Sequence, residues 1–394
     1  MAIKKVLALI LALAMVFTAV ACGANKEEAP AADAPAADAP GADAPEAEEA
    51  EESAEAVETV KIGYITGLSG ATVSTCAVEV IGAELAVKAI NDRGGIKSLG
   101  GAKVEIVWAD SQSDVANVPS AFELLAADEE VCAVICSQGS NYALAAQGPA
   151  EKAGLSLVTS CGSDMLFDTG YKYCFEFAPR ASEFAATMLD YMMYLADVGY
   201  YNSDAMGVLY LDNDFGRDTA TAFVEGAEAR GVTVLEVQNY PVGSSDISSQ
   251  LLKLQAAGCE TLMCTGELAD GKLIMSTLDA MDWHPRIYGA GGAFNMRQFG
   301  VDVPQHAKGV CFVGNYAWNT KVVEENEMLS WILDTWVEEN GYYPDVYGLG
   351  GVTNTLIAIN AIETAGSTDR DAVREGFLNS STATFYMGGN IVFN

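Results

Sequence analysis

Basic side chains and histidine are scarce in this chain. Its 394 residues include 21 Lys and Arg against 54 Asp and Glu, with only two His, for a formal net charge of −33. So little positive charge excludes a broad basic surface for nucleic acid or anionic lipid. His284 and His306 lie far apart in sequence, and no CxxC pair or Cys/His cluster accompanies them. Neither a metal site nor a cofactor is therefore expected. The apolar run that starts at Val6 and ends at Ala21 is too short for a membrane-spanning helix. Cysteine is not scarce, but the eight after Cys22 sit mostly inside apolar stretches, with Cys132, Cys136, Cys264 and Cys311 at strand positions. A domain of this size needs no disulfide staples, so these are expected to be structural thiols.

What is present begins with an export signal. Lys4 and Lys5 precede the apolar run, which closes in Ala19-Val20-Ala21 directly before Cys22. A positive n-region, a short apolar core and small residues at the cut mark a secretory leader. A cysteine at that place resembles a lipobox, with Ala19 where leucine is more usual. The resemblance implies lipidation of Cys22 and a mature protein held outside the cytoplasm on the bacterial cell membrane; plain secretion is the alternative. Residues 23–58 carry Ala-Pro-Ala-Ala-Asp repeats and then a Glu/Ala run. They cannot bury a core and favour an extended tether. The tether carries −11 and the leader +2, which leaves −24 on Thr59–Asn394.

Those 336 residues suit two domains. Short apolar runs alternate with helical periodicity: strands are expected at Val60–Ile65, Val104–Ala109, Val131–Cys136 and Leu155–Thr159. Between them, Val80, Ala83, Ala86, Val87 and Ile90 recur at helical spacing, and Pro119–Ala127 and Tyr142–Ala153 read as helices. A second series follows, with strands at Met206–Tyr210, Thr233–Val237, Thr261–Cys264 and Arg286–Tyr288, and helices at Ser182–Tyr194, Arg217–Arg230, Ser244–Ala257 and Leu268–Met281. Two βαβ series predict an α/β protein of two doubly wound parallel-sheet lobes joined by a hinge. The later helices, Glu324–Glu339 and Gly351–Thr364, need a sheet to pack on and are expected to return to the first. The lobes are thus expected at 59–179 with 314–394, and at 180–313, with a ligand cleft at the carboxyl ends of the strands.

Several segments resemble the type I periplasmic binding proteins, in particular the Leu/Ile/Val-binding components of branched-chain amino acid ABC transporters. They are Gly67-Leu68-Ser69-Gly70, Gly82-Ala83-Glu84 leading into Ala89-Ile90-Asn91, Gly94-Gly95-Ile96, Ile135-Cys136-Ser137, Thr159–Ser163, Asp212–Gly216 and Gly289–Gly292. The resemblance implies a monomeric, non-enzymatic solute-binding lipoprotein that captures a small amino acid or related carboxylate by hinge closure. It would hand that ligand to a permease served by ATPase subunits. Members of that family continue past Gly388–Phe393 with a further strand and a last crossing, so a C-terminal crossing element is expected to be missing here. A ligand-sensing module for a receptor and an exported hydrolase using Cys161 or Ser137 are the other classes.

By the same resemblance, Ser137 and Ser163 would hold the ligand carboxylate, with Cys161 and Gly162 beside them and Phe215 covering the ligand from the second lobe. Ser137 stands before Gln138-Gly139-Ser140 at a helix start, where free amides also favour an anion; capping alone would explain Ser140. The glutamate that family members place after the Arg286–Tyr288 strand is missing from Gly289-Ala290-Gly291-Gly292, and Glu267 is expected to supply that charge. If Glu267 lies outside the cleft, the ligand is a carboxylate without an ammonium group. Thr75 replaces a ligand-facing tyrosine, and Tyr347 is expected at the mouth. Gly266–Lys272 has P-loop spacing but Leu273 where magnesium needs a hydroxyl, and Glu267 and Asp270 would repel phosphate, so no nucleotide site is expected.

Overall fold

The structure, a computed structural model, describes residues 57–202, 204–386 and 390–393. The leader, Cys22, nearly all of the tether and Gly388-Gly389 lie outside the described residues. Ten strands form two parallel sheets of five. The first holds β1 (Thr59–Thr66), β2 (Lys103–Asp110), β3 (Val131–Cys136), β4 (Ser156–Thr159) and β5 (Cys174–Glu176) in the order β2-β1-β3-β4-β5. The second holds β6 (Met206–Leu211), β7 (Val234–Tyr240), β8 (Thr261–Thr265), β9 (Arg286–Ala290) and β10 (Cys311–Phe312) in the order β7-β6-β8-β9-β10. The two lobes thus repeat one topology.

Strand burial follows position. All six residues of β3 and all five of β8, inner strands covered on both faces, are buried, as parallel-sheet interiors require. Edge strand β7 instead alternates between half-buried and exposed residues until Tyr240. Sequence periodicity located these strands to within a few residues. It missed β5, too short to show a period, and the helix Arg370–Asn379 with the β11 (Thr382–Ala383) and β12 (Asn390–Ile391) hairpin after it.

The chain leaves the first sheet after β5 and enters the second lobe in the helix Ala181–Asp197, whose Met188, Leu189 and Met192 pack with Phe223 and Val208. It returns over Val313–Ala317: the Val313 amide donates to Gly289 O at 3.2 Å, and the Ala317 amide to Phe385 O at 2.9 Å. The helices Glu327–Asn340, Val346–Ala365 and Arg370–Asn379 then pack on the first lobe. Ile357, Ile362, Val373 and Phe377 join Val60, Ile62 and Ile135, while Trp336 meets Leu85 and Ala89.

Glycines set the closest contact in this lobe, between the helix Val73–Asp92 and the helix Val346–Ala365. A Cβ on Gly82 would lie 2.2 Å from Gly348 O, and one on Gly351 would lie 2.1 Å from Glu79 O. The two helix backbones therefore touch directly, and no side chain fits between them. Overpacking of this kind costs roughly 1–3 kcal/mol. Gly351→Ala should lose about that much stability in urea unfolding, whereas Gly300→Ala, with open space at its Cβ position, should change little. Equal midpoints for the two variants would contradict this account of the helix pair.

Candidate functional site

In each lobe the strand order reverses beside the first strand, between β1 and β3 and between β6 and β8. Loops at the carboxyl ends of strands flanking such a reversal form the ligand crevice of open α/β sheets. The loops after β1 and β3 face those after β6 and β8, and a cleft of about 560 Å³ lies between them. That volume suits a small molecule.

From the first lobe, Thr75, Ser137, Cys161, Gly162 and Tyr347 line the cleft, and Phe215 and Glu267 line it from the second. The helix Val73–Asp92 begins beside it without a side-chain cap or an acidic residue in its first turn, and so does the helix Ser140–Ala153. Two uncapped helix starts offer free amides and the positive ends of their dipoles to a ligand anion.

Ser163 is placed differently from the expectation. It is fully buried, is not part of the cleft wall, and donates its hydroxyl to Asp218 Oδ2 at 2.5 Å. Asp218 belongs to the second-lobe helix Asp214–Ala229 and also accepts the Asp164 amide at 3.0 Å. Ser163 therefore joins the lobes beside the cleft, and its proton is already committed. Ser137 does face the cleft, but its hydroxyl donates to Glu79, which leaves Tyr64 to donate to Ser137 Oγ at 3.2 Å. Glu79 also accepts from Thr66 Oγ1 at 3.0 Å. In this arrangement Ser137 has no proton to offer a carboxylate.

Glu79 is 2 % exposed and lines the cleft. It was missed in the sequence although its signal was there: a glutamate inside the apolar helical spacing of Cys76, Val80 and Ala83. Burial raises its pKa, against the three hydroxyls that lower it.

Glu267 begins the helix Leu268–Ala280, where its amide donates to Asp270 Oδ2 at 2.8 Å. Its carboxylate accepts the Tyr347 hydroxyl at 2.9 Å from the first lobe. Part of the residue is open to the cleft, but protein crowds the carboxyl group, and that desolvation pushes its pKa from 4.5 to about 7, with Asp270 adding to the rise. A Cβ on Gly292 would lie 2.6 Å from Glu267 Oε2 and 2.4 Å from the Tyr347 hydroxyl. The loop that lacks a glutamate thus makes room for one brought by its neighbour.

Phe215 lies in the first turn of its helix, which Asn213 caps by accepting the Gly216 amide at 2.7 Å. Its ring meets Phe184 edge-on at 5.9 Å, and a Cβ on Gly162 would sit 3.6 Å from both rings. The atom that excludes a side chain at Gly162 is the Pro179 carbonyl oxygen, 2.7 Å from that Cβ position. The segment with P-loop spacing is the turn from β8 into its helix. Burial pushes the Cys161 thiol up to about 12, far from a reactive thiolate. Neither histidine lines the cleft; His306 Nε2 contacts Asp279 at 2.6 Å.

The Glu267 carboxyl keeps its proton in the folded protein to about pH 7, while the unfolded chain releases it near 4.5. Its contribution is complete below pH 4.5 and is lost as pH rises to about 7, by on the order of 3 kcal/mol at most. Glu176, also raised by burial to about 7, titrates in the same window. The difference between wild type and Glu267→Gln isolates the first group: thermal melts should show a smaller fall between pH 4.5 and 7 in the variant. Parallel curves would contradict a desolvated Glu267.

Comparison with known proteins agrees with this architecture. A Leu/Ile/Val-binding protein homolog 7 of Brucella abortus (strain 2308) is 25% identical over 332 residues, 82% of this chain and 81% of its own. The structure of a leucine-binding protein from Thermotoga maritima MSB8 superposes with a TM-score of 0.72 at 20% identity, over 85% of this chain and 91% of that one. A branched-chain amino acid transporter substrate-binding protein from Streptococcus pneumoniae, solved with isoleucine, gives 0.72 at 22% identity over 85% and 92%. Residues 59–393 match the family described as periplasmic binding protein, and the chain belongs to that family.

Proposed function

We propose that this protein is a solute-binding lipoprotein of a branched-chain-amino-acid-type ABC importer, anchored outside the cytoplasm through Cys22. It captures a small amino acid or related solute by hinge closure and delivers it to a permease. The observation that carries this reading is the pair of side-chain links between the lobes, Tyr347 to Glu267 in the cleft and Ser163 to Asp218 beside it. Each link joins residues of opposite lobes, so each forms only when the lobes meet.

The resulting cycle needs no chemistry on the ligand. An amino acid enters the open cleft, with its carboxylate toward the amides at the start of the helix Ser140–Ala153 and its ammonium toward Glu267. Phe215 covers its apolar part, which gains burial on closure. A ligand favours the closed form only by its differential affinity for that form. The two links between the lobes add a ligand-independent share. An exported hydrolase is poorly supported, since Cys161 is held as a thiol and no histidine stands in the cleft to activate Ser137.

Asp218 separates closure from ligand contact, because it does not line the cleft. Hydrogen bonds to a charged acceptor contribute roughly 1.5–3 kcal/mol, so Asp218→Ala should weaken every ligand by a common factor of about 10 or more without changing their ranking. Isothermal titration calorimetry with several ligands reads this. A selective loss would make Asp218 a ligand contact, and unchanged affinity would remove it from closure.

A further inference from the structure

The charges in the cleft are one-sided. Glu79, Glu267 and Asp270 line it, and none is paired with a Lys, Arg or His among the described residues; no positive group contributes to the pKa of any of the three. Lys272 is the basic residue of the lining, and its ammonium is engaged by Asp302 at 2.6 Å. Asp270 is occupied as a helix cap by the Glu267 amide. That leaves Glu79 on the first lobe and Glu267 on the second as carboxylates without a counter-charge. They face one space, since both line the same cleft.

A buried carboxylate without a cation is costly, and proteins ordinarily pair it. A second observation comes from neutral groups. The buried Asn295 Oδ1 and Tyr316 hydroxyl, both from residues of the cleft wall, have no hydrogen-bond partner. An aliphatic side chain there would leave those groups unpaired and both carboxylates without a counter-charge. A ligand with positively charged N–H donors supplies that charge. The −24 charge on Thr59–Asn394 adds a field that draws cations in.

We propose that the cleft takes a ligand with two positively charged nitrogens, a basic amino acid or a diamine, one nitrogen held by Glu267 and the other by Glu79. This rests on the solute-binding reading and narrows it. Thr75 and Glu79 line the cleft from the same helix, and closure brings the two carboxylates to opposite ends of the ligand. Cation binding favours the ionised form of both acids, so it releases protons.

The test is calorimetry on the full-length protein in detergent, with lysine, ornithine, 1,4-diaminobutane, leucine and isoleucine, in two buffers of different ionisation heat. Expected are binding of a dication with proton release, and at least tenfold weakening by Glu79→Gln and, separately, by Glu267→Gln. Gln at 267 keeps an oxygen for the Tyr347 hydroxyl, and Gln at 79 keeps one for Ser137 while its amide donates to Thr66 Oγ1; should one variant fail to fold, the other still decides. Lysine or ornithine binding without diaminobutane would assign a carboxylate subsite as well, whereas diaminobutane binding as tightly would dispense with one. Leucine or isoleucine binding with inert dications would overturn this inference and leave the solute-binding reading standing. No heat from any of these would overturn both the dication and the amino acid as ligand.

Discussion

The carboxylate of Glu267 sits where the two lobes meet, and the hydroxyl of Tyr347 reaches it from the opposite lobe. Desolvation makes this contact sensitive to what else enters the cleft. A carboxyl whose pKa stands near 7 is poised between charged and neutral forms, and a positive group beside it would settle the balance toward the charged form. On the proposed reading, ligand capture, lobe closure and proton release are thereby tied to one side chain.

The first lobe supplies the rigid half of this arrangement. The direct backbone contact of Gly82, Gly348 and Gly351 fixes the helix that carries Glu79 against the helix that carries Tyr347. Tyr64, Thr66 and Ser137 then hold Glu79 from strand ends and the loop after β3. The second lobe brings Phe215 and Glu267 at the starts of the helices that follow β6 and β8. A repeated fold, with its strand reversals turned toward each other, thus gives two dissimilar walls: Glu79 with its hydroxyls and two uncapped helix starts on one side, Glu267 and an aromatic on the other.

Much of the fold was legible because βαβ periodicity is strong where strands are buried on both faces, as in Val131–Cys136. The expected sites were legible where a loop follows such a strand, which is why Ser137, Cys161, Gly162, Phe215 and Glu267 all reach the cleft wall. Ser163 was misplaced because residue type and position do not reveal that Asp218, 55 residues later, takes its proton. Glu79 was overlooked because its spacing reads as core, and only the packed structure turns a buried acid into a feature of the cleft. The loop Gly289-Ala290-Gly291-Gly292 after β9 holds no acid, and a Cβ at Gly292 would collide with Glu267 Oε2, which comes from the neighbouring loop.

The central claim is that Glu267 is the carboxylate that meets the positive end of the ligand. Carbon-13 NMR of glutamate-labelled protein, with the Glu267 carboxyl resonance assigned from its loss in Glu267→Gln, reads the titration of that group directly. Without ligand it should titrate near pH 7, and with saturating amine ligand its midpoint should fall by a unit or more, since a nearby opposite charge favours the charged form by about that much. A midpoint unmoved or raised by ligand would show that the positive group lies elsewhere, and the account of the cleft would fail.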